Sequence, residues 1–350
     1  MPQVTVVIPV HDSETFLAAT LESVRQQSLE DIEIICVDDG STDGSAAILA
    51  EHAAADARVK VITFADNRST LQARKAGVAA ASGEFLMFLD ADDYYEPDAC
   101  KSAVTALRNL DADIVHFPTN LIPAPNTSKT TIEFTTRLLQ PFTDSLDGFQ
   151  IAEACFGERR FSWFLWNKIF DTELVRRAYT YIADDAFETI SEDCHLFFII
   201  AALARRLAGI TGPPLVNYRL GFGHTAQAEI TPERLRWFTG QKDVAEAIAA
   251  FAAGRDARYN LLALTVRKAF VNQTVRAWLL TLPPEQAAAG FKLLRQAWEP
   301  DELATCLYEN FHFRLEKEEQ LRHKAREFKR QAAELQAELD KRPSRKWGKR

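Results

Sequence analysis

Residues 83–98, read as Gly-Glu-Phe-Leu-Met-Phe-Leu-Asp-Ala-Asp-Asp-Tyr-Tyr-Glu-Pro-Asp, decide how the chain is read. A glycine turn leads into Phe85, Leu86, Met87, Phe88 and Leu89, which then give way to Asp90, Asp92 and Asp93 around Ala91. An apolar run that ends in acid predicts a buried strand that delivers charge to its carboxyl end. In an open α/β sheet that edge is where ligands bind. Carboxylates this close repel one another, and a hard divalent cation is the usual relief. Two carboxylates do not cage Mg²⁺ or Mn²⁺. A metal held by them keeps positions for water and for the oxygens of a diphosphate. The alternative is a solvated acidic turn that leads into the next helix at Glu96-Pro97-Asp98.

Working outward, Val4 to Val10 is β-branched and apolar on both faces, as in a central parallel strand. His11-Asp12-Ser13 then precedes Glu14 and a helix with Phe16, Leu17, Leu21 and Val24 on one face. Ile32 to Val37 predicts a second strand, which also ends in acid at Asp38 and Asp39 before a small polar turn. Val59 to Phe64 predicts a third strand, and residues 69–81 an Ala-rich helix that carries Arg74 and Lys75. After residues 83–98 come a helix from Pro97 to about Leu110 and a strand over Ile114 to Phe117. Such alternation predicts a mainly parallel sheet with helices on both faces. Parallel strands place Asp38, Asp39, Asp90 and Asp92 at one sheet edge. Carboxylates there suit ribose hydroxyls or a ring N–H. Arg74 is placed to balance phosphate charge, or to lie on a solvated helix face. No G-x-G-x-x-G follows the first strand, and no G-x-x-x-x-G-K-S/T is present, so dinucleotide and P-loop readings fail.

Bulk properties narrow the class. A chain of 350 residues with 47% apolar residues fits about two domains with a sizeable core. A net charge of −8 argues against a nucleic-acid binder. Five scattered cysteines show no metal spacing and suit a reducing compartment. Met1-Pro2-Gln3 runs into a strand without the basic region of a signal peptide, and no apolar run reaches membrane-spanning length. The expectation is a cytoplasmic protein whose membrane contact, if any, is peripheral.

Four segments together resemble family 2 glycosyltransferases of the GT-A fold, of the bacterial surface-polysaccharide type: VTVVIPVHDSETFL, IEIICVDDGSTDGS, ARKAG and ASGEFLMFLDADDYYEPD. The resemblance covers roughly Val4 to Asp98 and continues more weakly to about Thr225. It implies an inverting transfer of a hexosyl or N-acetylhexosaminyl group from a nucleotide-sugar, with UDP as the expected nucleotide and Mn²⁺ or Mg²⁺ as cofactor. By the same resemblance Asp39 contacts the base, Pro9, His11 and Glu14 line the nucleoside pocket, Asp90 touches the ribose and Asp92 binds the metal.

The second half supplies the acceptor side. Residues 120–129 hold two prolines and no periodicity, and read as a loop. Trp166-Asn167-Lys168-Ile169-Phe170 is similar to a W-x-K segment of the same relatives. There Trp166 suits a sugar face and Lys168 a phosphate or carboxylate, unless the aromatics are simply core. Ser191-Glu192-Asp193 opens an apolar helix, with Ser191 as its cap and acids in its first turn. The resemblance makes Asp193 the general base, while Glu192 reads as structural or as orienting the acceptor. Tyr218-Arg219 precedes a glycine-rich loop in which His224 is a candidate metal ligand.

Residues 1–228 therefore read as the catalytic domain and 229–312 as a helical region, with helices over 235–251, 257–280 and 285–298. Residues 313–340 carry an apolar seam at four and three spacing, which suits a short coiled coil and a homodimer. Residues 341–350 form a basic tail that suits an anionic membrane surface. The acceptor expected is a saccharide of a surface glycan or a lipid-linked saccharide. Two other readings stand beside the transferase. A sugar-phosphate nucleotidyltransferase would need a Gly-rich loop where Pro9-Val10-His11-Asp12 stands. A non-catalytic scaffold would bind the nucleotide-sugar and act through the helical tail.

Overall fold

The computed structural model describes residues 1–310 apart from 126, 143 and 223–230. His224, the seam at 313–340 and the basic tail lie outside the described residues. The chain begins with β1 (Val4–Val10), α1 (Leu17–Arg25), β2 (Ile32–Asp39), α2 (Ser45–Ala55), β3 (Val59–Phe64), α3 (Thr70–Ala80) and β4 (Phe85–Phe88). It continues through β5 (Tyr94–Tyr95), α4 (Ala99–Asn109), β6 (Ile114–His116), β7 (Thr119–Pro123), α5 (Lys129–Leu139), β8 (Leu146–Asp147) and α6 (Phe149–Ala152). Then come β9 (Lys168–Asp171), α7 (Thr172–Tyr179), α8 (Glu192–Leu203), β10 (Arg206–Gly209) and β11 (Val216–Leu220). The chain closes with α9 (Pro232–Thr239), α10 (Gln241–Ala253), α11 (Ala257–Thr281), α12 (Ala287–Ala297) and a helix over 300–310.

The main sheet runs β3-β2-β1-β4-β9-β6-β10-β8. Strands β3, β2, β1 and β4 are parallel, as their two-sided burial predicts. Strand β9, contributed by the W-x-K segment, enters antiparallel between β4 and β6. Side chains alternate between two cores. Val7, Ile35, Val37, Leu86 and Phe88 face one, and Val6, Ile8, Ile34, Cys36 and Met87 face the other. Helix α3 lies so close on the first face that a Cβ on Gly77 would meet Val7 Cγ1 at 2.4 Å. That approach sets the height of Arg74 over the sheet.

Helix α8 is apolar all round, and Leu196, Phe197, Phe198, Ile199 and Ile200 are fully buried. Such a helix needs cover on every side. Burial of each of those side chains contributes about 1.5–3 kcal/mol. The helical region supplies much of the cover, since Leu235, Val244, Ile248, Phe270 and Leu294 join the same continuous core. Among the described residues the helical region shares the core of the α/β unit and buttresses it.

Three local expectations give way to tertiary structure. Residues 120–123, the start of the loop expected over 120–129, belong to β7, which pairs parallel with β11. The pairing is reinforced by Asn120 Nδ2 donating to Asn217 Oδ1 at 2.7 Å, a contact no local pattern encodes. The helix expected over 235–251 breaks at Gly240 into α9 and α10. Ser191 does not cap α8 with its side chain, but sits left-handed at φ 64°. Among the described residues no helix is long and apolar enough to cross a membrane.

Candidate active site

The carboxyl ends of β1, β2 and β4 open side by side because the strands are parallel. The loops after β1 and β2 are laced together by backbone-to-side-chain bonds. Thr42 N–H donates to Asp12 Oδ1 at 2.7 Å and Gly44 N–H to Glu14 Oε2 at 2.8 Å. Glu14 N–H donates in turn to Asp43 Oδ2 at 3.0 Å. Glu14 is thus engaged in loop structure, with an exposed side chain. Pro9 is buried in β1 opposite Val37. His11 Nδ1 lies 2.9 Å from the Asp39 carbonyl oxygen, and Asp39 Oδ1 accepts from Arg68 N–H at 2.6 Å. Burial raises the Asp39 carboxyl above its ordinary range, opposed by the Arg68 N–H. Asp38 is tied to Ser41 N–H at 3.0 Å, which leaves Asp39 as the member of the pair beside His11.

The acidic turn after β4 splits its three carboxylates among three surroundings. Asp90 points to Arg74, with 2.7 Å between Oδ1 and Nη2. Asp92 is half-buried. Asp93 is fully buried, accepts from Arg219 N–H at 2.7 Å, and has no partner for Oδ2 among the described residues. Burial, with Asp92 and Asp90 nearby, raises the Asp93 carboxyl well above its usual range. No cluster of three metal-ligating side chains exists among the described residues. The donor set here is hard carboxylate oxygen, one atom of it orphaned. It fits a divalent cation that draws the rest of its shell from a ligand, and does not form a cage.

Arg74 is the hub. Its guanidinium is buried and meets three carboxylates: Asp90, Glu192 at 3.1 Å, and Asp193 in a short contact. Of the two expectations for Arg74, the solvated helix face is excluded by its burial, and its guanidinium is engaged by carboxylates of the chain itself. Asp193 stands in the first turn of α8, and its Oδ2 lies 3.4 Å from Leu165 N–H. Burial pushes the Glu192 carboxyl up to about 7, and Asp193 is raised as well, with Arg74 opposing the shift. One cation against three acids leaves the cluster short of positive charge. Burial first, and then the Asp90 charge against the opposing Arg74, raise the proton affinity of Asp193 above that of an exposed aspartate.

Lys168 is not available to a ligand. It has no exposed surface, and its ammonium donates to Ser162 O, Phe164 O and Asn167 Oδ1 at 2.9, 2.6 and 2.8 Å. Burial lowers it to about 7. The two carbonyls it grips belong to the turn that presents Leu165 N–H to Asp193. The expected sugar platform, Trp166, is also buried, stacked between Phe164 and Tyr218 at centroid distances of 5.3 and 4.7 Å. Phe164 and Tyr218, both half-buried, are the members of that ladder nearer to solvent.

The structure thus gathers Asp90, Arg74, Glu192 and Asp193 at one point and sets His11 beside Asp39. It withdraws Lys168 and Trp166 into the interior. Sequence reasoning assigned no role to Asp93 or Arg219. The acid burst contained the first, and the Tyr-Arg dipeptide ending β11 contained the second.

Comparison with known proteins gives a consistent result. Residues 5–169 match the family model described as glycosyl transferase family 2. The putative glycosyltransferase EpsH of Bacillus subtilis is 31% identical over 228 residues, covering 65% of this chain and 63% of that protein. The uncharacterized glycosyltransferase EpsJ of the same organism is 30% identical over 178 residues, covering 51% and 50%. The chain therefore spans about half to just under two thirds of the length of these relatives. Among solved structures, S. aureus TarS 1–349 superposes with a TM-score of 0.58 at 16% identity, over 89% of this chain and 92% of that one. At that identity the likeness is one of fold. It is the fold the resemblance implied, a mainly parallel GT-A type α/β sheet followed by helices.

Proposed function

We propose, from the match of residues 5–169 to the glycosyl transferase family 2 model, that the chain transfers a sugar from a nucleoside-diphosphate donor, UDP-linked, to a hydroxyl of a saccharide acceptor. The acceptor class in this reading is a surface glycan or a lipid-linked saccharide. TarS, the structural neighbour, has been crystallised with UDP-GlcNAc and with UDP. The observation that carries the reading is the convergence on Arg74 of Asp90, from the sheet edge, and Asp193, from a helix more than a hundred residues away.

In this reading the nucleoside lies across the β1 and β2 loops. Asp39 accepts from the base, His11 is fixed beside it, and Asp90 meets the ribose. Asp92 would hold Mn²⁺ or Mg²⁺, which supplies positive charge for the departing diphosphate. Asp193 takes the proton of the acceptor hydroxyl as that oxygen attacks the anomeric carbon from the face opposite the leaving group. A single displacement of this kind inverts the configuration and needs no enzyme nucleophile. Arg74 keeps Asp193 ionised and holds it in register with the donor edge. Phe164, next to Leu165, offers a ring face to the acceptor beside the base.

The test is calorimetric titration of wild type, Asp92→Ala and Asp193→Asn with UDP, GDP and UDP-sugars, with and without Mn²⁺, followed by transfer assays on the productive donor. Metal-dependent UDP binding should be lost in Asp92→Ala and kept in Asp193→Asn, while Asp193→Asn loses about 10²–10⁴-fold in turnover. Absence of nucleotide binding by wild type under every metal condition would sink the reading.

A further inference from the structure

We infer that Arg219, and not Arg74, is the side chain that binds the diphosphate of the donor; the inference rests on the nucleotide-sugar reading above. A diphosphate brought to this edge adds at least two negative charges to a turn that already holds Asp90, Asp92 and Asp93. Among the described residues, a side-chain cation at this edge would meet that charge in addition to any metal. Arg74 cannot, because its guanidinium is buried against three carboxylates, and its remaining Nε is buried too. Lys168 has all three protons on interior acceptors. Lys75 turns away to the Ile182 carbonyl and Asp184. Arg68 lies over the Phe64 ring near Asp39, at the nucleoside end of the edge.

Arg219 is placed at the other end, on the acidic turn itself. Its backbone N–H is fixed by Asp93 Oδ1 at 2.7 Å, and its Nη1 donates to the carbonyl oxygen of Asp92. Its guanidinium lies 4.8 Å from the Phe16 ring centroid and 4.7 Å from that of Tyr94. Two aromatic contacts and one carbonyl fix the plane of a half-buried guanidinium and leave further N–H donors on its edge. A planar, oriented fork is the geometry that binds two phosphate oxygens at once. The contact with Asp92 O places this charge within one residue of the carboxylate assigned to the metal. Phe16 belongs to the segment that follows His11, so one side chain ties the nucleoside loop, the acidic turn and β11 together.

The test titrates wild type, Arg219→Lys and Arg219→Met with uridine, UMP, UDP and inorganic pyrophosphate at saturating Mn²⁺. Circular dichroism and thermal melts check the fold; the Asp93 contact is made by backbone and survives both changes. The expected result is uridine affinity unchanged, UDP and pyrophosphate affinity reduced about tenfold or more in Arg219→Met, and a smaller loss in Arg219→Lys. Full UDP affinity in Arg219→Met would overturn the inference and leave the donor site standing. Equal loss of uridine and UDP would overturn it as well, since the residue would then shape the loop and not the phosphate site. Failure of wild type to bind uridine or UDP would remove the donor reading beneath it.

Discussion

Replacement of Arg74 by Met isolates the charge balance on which the site depends. The substitution keeps most of the apolar stem and removes the guanidinium, whose Cζ lies 5.9 Å from the Phe88 ring centroid. Three carboxylates then lose their shared partner in a place where Arg74 itself is 2% exposed. At an effective dielectric of about 20, each charge pair at about 4 Å is worth about 4 kcal/mol, set against the desolvation of the arginine and the mutual repulsion of the acids. Removal of one member of a buried ionic cluster costs about 3–5 kcal/mol net.

The pH dependence gives the sharper signature. Without Arg74, Glu192 and Asp193 hold protons more tightly in the folded chain than in the unfolded one, where carboxylates titrate near about 4. The folded state then binds more protons, so stability falls as pH rises, by about 1.4 kcal/mol per pH unit for each such proton. Wild type already shows part of this slope, because Glu192 is pushed up to about 7. Asp193 is raised in wild type too, and loss of the opposing Arg74 charge in the variant raises both carboxyls further. Urea unfolding followed by tryptophan fluorescence should therefore show a larger deficit at about pH 8 than at about pH 5.5. Neutralising the acids in the background Glu192→Gln/Asp193→Asn should remove most of the deficit. A loss below about 1 kcal/mol, or an equal loss at both pH values, would refute the charge argument.

Three further outcomes are expected. Transfer should rise with pH along an acid limb displaced above the ordinary carboxylate range, because Asp193 must be unprotonated and its proton affinity is raised; a limb near about pH 4 would contradict that. Lys168→Met should lower stability by about 1–3 kcal/mol for each buried acceptor left unpaired, while UDP affinity measured by calorimetry stays the same; an unaltered melt would contradict its interior role. Gly240→Ala would bring a Cβ within 2.4 Å of Thr189 Oγ1, costing about 1–3 kcal/mol of overpacking. Because residues 189 and 190 lead into Glu192, its kinetic effect should fall on turnover more than on nucleotide binding, and steady-state kinetics would separate the two.

The acidic sheet edge was legible because two facts suffice for it. Strands with apolar residues on both faces are central and parallel, and parallel strands bring Asp39 and Asp90 to one side whatever the rest of the chain does. The fate of the cations was not legible. Arg74 and Lys168 look alike in sequence as basic residues beside apolar ones. Which one meets carboxylates and which one meets carbonyls depends on partners up to 119 positions away for Arg74 and on a local turn for Lys168. Trp166 shows the same limit. Its sequence neighbours are as aromatic as those of an open sugar platform, and it is Tyr218, from β11, that closes over it. Strand β7 was invisible because its reason for existing is β11.

The helical region also changes meaning under the proposal that Asp193 is the base. Ser191 adopts a left-handed conformation that a serine holds only at a cost of about 1–2 kcal/mol, and it offers α8 no side-chain cap. Such a conformation persists only if its surroundings enforce it. Those surroundings come from the C-terminal helices. Gln241, at the start of α10, donates to Ser191 Oγ at 3.1 Å and is held in turn by Gln273 of α11 at 3.0 Å. The break at Gly240 lets α9 and α10 press on residues 189 and 190. Helix α8 itself is apolar on every face, so removal of α10 and α11 would bare Phe198 and its neighbours to water. The boundary at residue 228 divides the sequence resemblance but not the physical unit. The turn that aims Asp193 at Arg74 is built from both sides of it.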